Sequence, residues 1–301
     1  MTFKMSYQIV FPITYGGPRL ANQMFQYAVA KIMALRTNTS VVLSQDRLDT
    51  GLFSFQNYFK NTPFDKQYKM QHFQTIQETK QFELMKELFV NQITSGVILY
   101  GWFQHYGYFE GYEDKVRDMF EFNNDIQTRS QTFLDTIRLN YAGKRIVSLH
   151  LRRPDVKNDP HFIYTTYTSY HIIQLLKKFD IPNTVFLLFS SDKEDCLEKF
   201  GSIFQTINHE WVDLGEADSM CIMSQCDDNI IGASTFSWWS AYLNKNRDKR
   251  VIIPKPFFSP FSQQHNNITD GYYLPDWEVF DMYTQKEMET FEMIRKTILH
   301  K

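Results

Sequence analysis

Residues 145–156 read RIVSLHLRRPDV, and the reading of this stretch decides the fold. From Ile146 to Leu151 the side chains are almost all aliphatic, and the run is ended by charge and a proline. Such a run is the mark of a short strand buried on both faces. The same form returns downstream in TVFLLFS (184–190), NIIGA (229–233) and RVIIPK (250–255). Between these runs lie YHIIQLLKKF, KEDCLEKF, ADSMCIMSQC and TFSWWSAYLN, which read as helices. Strands alternating with helices predict an α/β fold with a parallel sheet covered on both faces.

Upstream the pattern is looser. YQIVFPI (7–13) predicts a first strand, TYGGPRL (14–20) a turn, and Asn22 to Arg36 a helix. VVLS (41–44) and GVILYGWFQ (96–104) read as strands. Residues 46–92 are irregular, with helical character near QFELMKELF (81–89), and the stretch from DKVRDMFEF to QTFLDTIRL (114–139) is helical. The change of pattern near residue 140 predicts two α/β domains, 1–140 and 141–301, the second closed by the helix KEMETFEMIRKTILHK (286–301).

The 301 residues are 43% hydrophobic and 16% aromatic, enough for two cores and too apolar for disorder. A formal net charge of −2 without a basic stripe argues against a nucleic-acid partner. Three cysteines without a framework spacing point to reduced thiols, no metal site and a cytoplasmic setting. The apolar run at the N-terminus is too brief and interrupted for a signal peptide. No run reaches the roughly 20 residues of a membrane span.

Four stretches carry candidate chemistry. In HLRRPD, His150, Arg152, Arg153 and Asp155 follow a buried strand, at the sheet edge where α/β proteins gather ligands. Arginine suits a pyrophosphate through its charged planar fork, and an ion pair with Asp155 is the alternative. In GASTFSWW, Ser234 and Thr235 open a helix, where hydroxyls and free N–H groups bind phosphate or simply cap. Trp238 and Trp239 read as packing. Gly16 and Gly17 permit close approach of backbone to a ligand, with Asn22 as N-cap or contact. Neither a Walker loop nor a G-x-G-x-x-G pattern is present. In FSSDKEDC, Asp192 either caps a helix or holds a ribose.

In this order along nearly the whole chain, GGPRLANQMFQYA, YGWFQHYGYF, HLRRPD and ASTFSWWSAYLN resemble the α-1,2-fucosyltransferase family, glycosyltransferase family 11. The resemblance implies a GT-B-like fold of two facing Rossmann-type domains, with GDP-fucose held by the C-terminal one and a galactose-terminated oligosaccharide met by the N-terminal one. It implies no cofactor and no metal. Arg152 would bind the β-phosphate and stabilise the leaving GDP. His150 would lie near the guanine, Arg153 and Asp155 would support the loop or reach the donor, and Ser234 and Thr235 would contact the pyrophosphate. Asn22 and Gly17 would approach the donor from the other domain, and Asp192 and Asp218 complete the donor set. Asp155 and His150 are the candidates for a general base.

The chain departs from the family pattern at Pro18–Arg19, Ala21, Pro154, Val156, Ser191, Asp195, Ser219 and Ala233. Two other readings therefore stand beside the first: a nucleotide-sugar-binding homologue with little transfer, and a transferase with a changed donor.

Overall fold

A computed structural model describes residues 8–11, 19–44, 55–62, 67–68, 74–80, 82–89, 97–153, 163–262 and 269–299. The chain divides into two units, Met1–Asn123 with Ile268–Leu274, and Asn124–Asn267 with Pro275–Lys301.

The first unit runs β1 (Gln8–Phe11), α1 (Leu20–Thr37), β2 (Ser40–Ser44), α2 (Phe55–Tyr58), β3 (Gln67–Tyr68), β4 (Gln74–Gln77), β5 (Val97–Tyr100) and α3 (Glu113–Met119). Its sheet has the order β3-β2-β1-β5-β4 with every pair parallel. Helix α1 is buried on almost all sides from Leu20 to Ala34, as an all-round apolar sequence requires. It begins at Leu20 rather than Asn22, so Asn22 stands inside the first turn and Arg19 holds the cap position.

The second unit runs α4 (Asn124–Asn140), β6 (Arg145–His150), α5 (Ser169–Leu176), β7 (Thr184–Phe189), α6 (Lys193–Phe204), β8 (His209–Trp211), α7 (Glu216–Met223), β9 (Asp228–Ile230), α8 (Thr235–Leu243), β10 (Val251–Lys255), β11 (Glu278–Asp281) and α9 (Gln285–Leu299). The sheet order is β11-β10-β9-β6-β7-β8, again all parallel. Counted from β6 this is the doubly wound Rossmann order. Successive residues of β6 and β7 divide between the faces, as the twofold period of a strand demands. Val147, Leu149, Phe186 and Leu188 join one core with α5 and α6. Ile146, Val185 and Leu187 join the other with Leu134 and Ile137 of α4 and Ile222 of α7.

Two Rossmann-type α/β units make the chain GT-B-like, as expected. The division falls at Asn123–Asn124, however, not near residue 140. The reason is the apolar stripe of α4, which is spent on the second sheet. The helix expected over QFELMKELF is absent beyond a short 3₁₀ turn at Lys86–Phe89. There Phe82 takes a left-handed φ of 70°. Tyr108 Oη accepts from the Met85 N–H (3.0 Å) and donates to the Glu83 carbonyl (3.3 Å), so a side chain takes the place of helical backbone bonds.

Candidate functional site

In a doubly wound sheet the strand order reverses at one place, and the crevice there binds ligands. In the second unit that place lies between β6 and β9. The residues that leave these strands are His150 and Arg152 on one side, and Gly232, Ser234 and Thr235 on the other. They meet closely. A methyl group on Gly232 would stand 3.0 Å from the His150 carbonyl, 3.1 Å from Arg152 Cβ and 3.2 Å from His150 Nδ1. Glycine, with no Cβ, lets the two strand ends approach like this.

His150 is 8% exposed, and its Nδ1 is buried with no hydrogen-bond partner among the described residues. A buried polar atom left unpaired calls for an explanation, and a ligand group is one. Its ring lies 5.9 Å from that of Phe236 in the first turn of α8. Burial, with the charge of Arg152 adding to it, pushes the imidazole down to about 3. It is neutral at physiological pH. A neutral imidazole can both give and accept a hydrogen bond.

Arg152 is half-buried and its guanidinium lies 5.3 Å from the centre of the Tyr164 ring. A guanidinium over an aromatic face is attracted by the ring quadrupole, and its planar charged fork is a shape suited to an anion. Opposite it, α8 starts at Thr235, with Ser234 Oγ accepting the Phe236 N–H (3.3 Å). The structure thus brings together His150, Arg152, Ser234 and Thr235 beside a helix N-terminus, whose free N–H groups are of the kind that can bind an anion.

Other expected residues stand elsewhere. Arg153 is 4% exposed and ion-paired to Asp195. Asp195 also accepts from Lys199 (2.6 Å), and despite burial Lys199 and Arg153 hold its carboxyl below the ordinary value. Alternation along the strand explains this: Arg153 leaves on the opposite face from Arg152. Asp192 caps α6 by accepting the Asp195 N–H (2.9 Å). Asp218 receives Arg129 Nε and Nη2 at 2.9 and 3.0 Å. Gly16, Gly17 and Asp155 lie outside the described residues. Among the described residues, no group of three or more His, Cys, Asp or Glu is placed to hold a metal ion. No helix among them is long and apolar enough to cross a membrane.

The first unit has its own reversal, between β1 and β5. Asn22 of α1 accepts from Gln104 Nε2 (2.9 Å), and Tyr272 Oη donates to Gln104 Oε1 (2.7 Å). Gln104 and Tyr272 are buried. The backbone between β5 and Gln104 is held by Glu78, whose two carboxylate oxygens accept the N–H of Trp102 (2.7 Å) and of Phe103 (3.0 Å). Phe103 is left-handed at φ 53°, a conformation a bulky residue keeps only when its surroundings hold it. Burial raises the Glu78 carboxyl to about 7 in spite of those two bonds. Glu78, Gln104, Gly232 and Tyr272 were not read from the sequence. The motifs YGWFQHYGYF, which contains Gln104, and GASTFSWW, which begins at Gly232, were signals near two of them, and neither pointed to these contacts.

The family model for glycosyl transferase family 11 matches residues 4–281. The O-antigen biosynthesis glycosyltransferase WbnK of Escherichia coli is 26% identical over 286 residues, covering 81% of this chain and 93% of that one. The α-1,2-colitosyltransferase of E. coli is 27% identical over 277 residues, covering 81% and 90%. Among solved structures, the NodZ α-1,6-fucosyltransferase soaked with GDP-fucose is 12% identical, with a TM-score of 0.49 over 79% of this chain and 92% of that one. With a family model spanning almost its whole length, this chain belongs to glycosyl transferase family 11.

Proposed function

We propose that the protein transfers L-fucose from GDP-fucose to the 2-hydroxyl of a terminal galactose, with inversion at the fucose C1. The observation that carries this reading is the buried Nδ1 of His150, without a hydrogen-bond partner among the described residues, beside Arg152 and the N-terminus of α8. The crevice supplies a hydrogen-bonding imidazole for the nucleotide and a fixed cation with helix N–H groups for the pyrophosphate.

The reaction breaks the bond from fucose C1 to the β-phosphate oxygen and forms one from C1 to the acceptor oxygen on the opposite face. Negative charge grows on the departing GDP, and Arg152 neutralises it where it develops. Ser234 and Thr235 add hydroxyl contacts at the helix end. The hydroxyl proton leaves to a base, for which Asp155 and His150 are the candidates. On this scheme the cation in the site is Arg152, and no metal is required.

The test is mass spectrometry and linkage analysis of products from GDP-fucose and lactose, run in EDTA. A trisaccharide with a new 2-linked galactose is expected, at a rate that Mn²⁺ does not raise. Arg152→Ala should lower the rate at least a hundredfold, the scale of losing one charge-stabilising donor, and should weaken GDP binding. Unchanged kinetics in that variant would refute the phosphate role. The E. coli relative named for colitosyl transfer favours one second reading, a different glycosyl group on the same kind of donor. Intact GDP-fucose after incubation, with GDP still bound, would select it.

A further inference from the structure

His105 follows β5 in the first unit, next to Gln104, and its imidazole is gripped on two edges. A methyl group on Gly271 would stand 2.5 Å from Cδ2 and 2.6 Å from Cγ, and one on Gly107 would stand 3.0 Å from both Nδ1 and Cε1. Two glycines thus approach the ring, one nearest its Cγ–Cδ2 bond and the other nearest its Nδ1–Cε1 bond, and the ring is half-buried. The grip also sets the proton. Nδ1 accepts the Gly107 N–H at 2.9 Å, so in the neutral ring the proton sits on Nε2. Burial lowers the affinity of the ring for a second proton, with the exposed Asp270 partly offsetting it. Nε2–H makes no hydrogen bond among the described residues, and the ring stacks on Tyr106 at 5.4 Å.

We propose that the His105 Nε2–H is a specificity-determining donor for the acceptor, bonding one hydroxyl oxygen of the galactoside. This rests on the reading of the chain as a galactoside-directed transferase. A sugar hydroxyl is the class of group that fits. It accepts from a neutral N–H. An anionic ligand fits less well, because Asp270 stands beside the ring. The fixed tautomer makes His105 a donor rather than a base. A site built to bond a hydroxyl rejects the analogue that lacks it.

The experiment measures binding, so that it does not depend on turnover. Lactose and its monodeoxygalactose analogues are titrated by NMR into the wild type, His105→Ala and His105→Gln, with GDP affinity as the control for folding. In the wild type one deoxy analogue should bind roughly five- to tenfold more weakly than lactose, the scale of one neutral hydrogen bond. His105→Ala should bind lactose more weakly by a similar factor and no longer distinguish that analogue. His105→Gln, whose amide nitrogen can replace Nε2, should recover part of the loss. Equal binding of lactose by wild type and His105→Ala, unchanged discrimination in the variant, or no lactose binding by the wild type overturns the proposal. If lactose binds as expected while GDP-fucose gives no trisaccharide, the donor reading fails and the role of His105 stands.

Discussion

At Gly232 the approach of two strand ends leaves a methyl group only tight contacts of 3.0–3.2 Å. Gly232→Ala would press on the His150 carbonyl and Arg152 Cβ, which are backbone and the root of a side chain and have little freedom to yield. The variant should therefore fold but lose donor affinity by about tenfold or more, measured as the GDP dissociation constant. Unaltered GDP binding would mean that the crevice is not where the nucleotide sits. Glu78 makes a prediction of another kind. Its folded value, raised to about 7, lies above that of an unfolded glutamate. The folded state then binds the extra proton, so its contribution to stability is complete below the unfolded value and is lost as pH rises through 7. Urea unfolding of the wild type against Glu78→Gln should show the wild type losing ground from pH 5.5 to 8.5. A difference that grows in the other direction would show the carboxylate bonds to Trp102 and Phe103 outweighing burial.

Among the elements, β6, β9, α7 and α8 are tied beneath the crevice by a buried amide network. Asn229 Nδ2 donates to Ser148 Oγ (2.7 Å) and to the Met223 carbonyl (2.8 Å), and Asn244 Nδ2 donates to Asn229 Oδ1 (2.8 Å). Each of these groups is fully enclosed, so a missing partner has no water to replace it. Asn229→Ala should destabilise the protein by about 2–4 kcal/mol, combining lost bonds and an orphaned carbonyl. A midpoint of thermal unfolding unchanged by this substitution would exclude that account. Helix α8 has a second anchor in Trp238 and Trp239, both fully buried, with Trp238 stacked on Tyr242 at 5.0 Å. The aromatic run positions the helix whose N-terminus faces the crevice, and its role in packing agrees with the reading from sequence.

On the scale of the whole molecule, the chain does not finish its first unit before starting the second. Ile268–Leu274 comes back to the first unit from a point far along the chain. Its Tyr272 is 1% exposed and packs against Phe82 and Phe25 as well as bonding Gln104. A phenol can give its proton to Gln104 Oε1, which turns the Gln104 amide nitrogen toward Asn22. The orientation of Asn22 is thus set by a residue 250 positions away. Tyr272→Phe should keep the packing but cost about 1–3 kcal/mol for the acceptor left behind. Equilibrium unfolding in urea checks this, and an unchanged midpoint would dismiss the relay.

What the sequence by itself determined is the class of the fold and the family. Short apolar runs such as TVFLLFS, rich in branched and aromatic residues and bounded by turn residues, read as strands buried on both faces. The order of short motifs then named the family. The edge strands β8 and β11 escaped notice, since their partly exposed residues form no apolar run. So did the true boundary, because an amphipathic helix such as α4 does not reveal which sheet it covers. The site followed the same division. His150 and Arg152 are legible because charge after a buried strand is locally unusual. That Arg153 turns away to Asp195, that Gly232 lies close against His150 and Arg152, and that Tyr272 orients Gln104 were decided only by the tertiary structure. Each depends on the distance between residues remote in the chain, and short-range patterning carries no record of such distances.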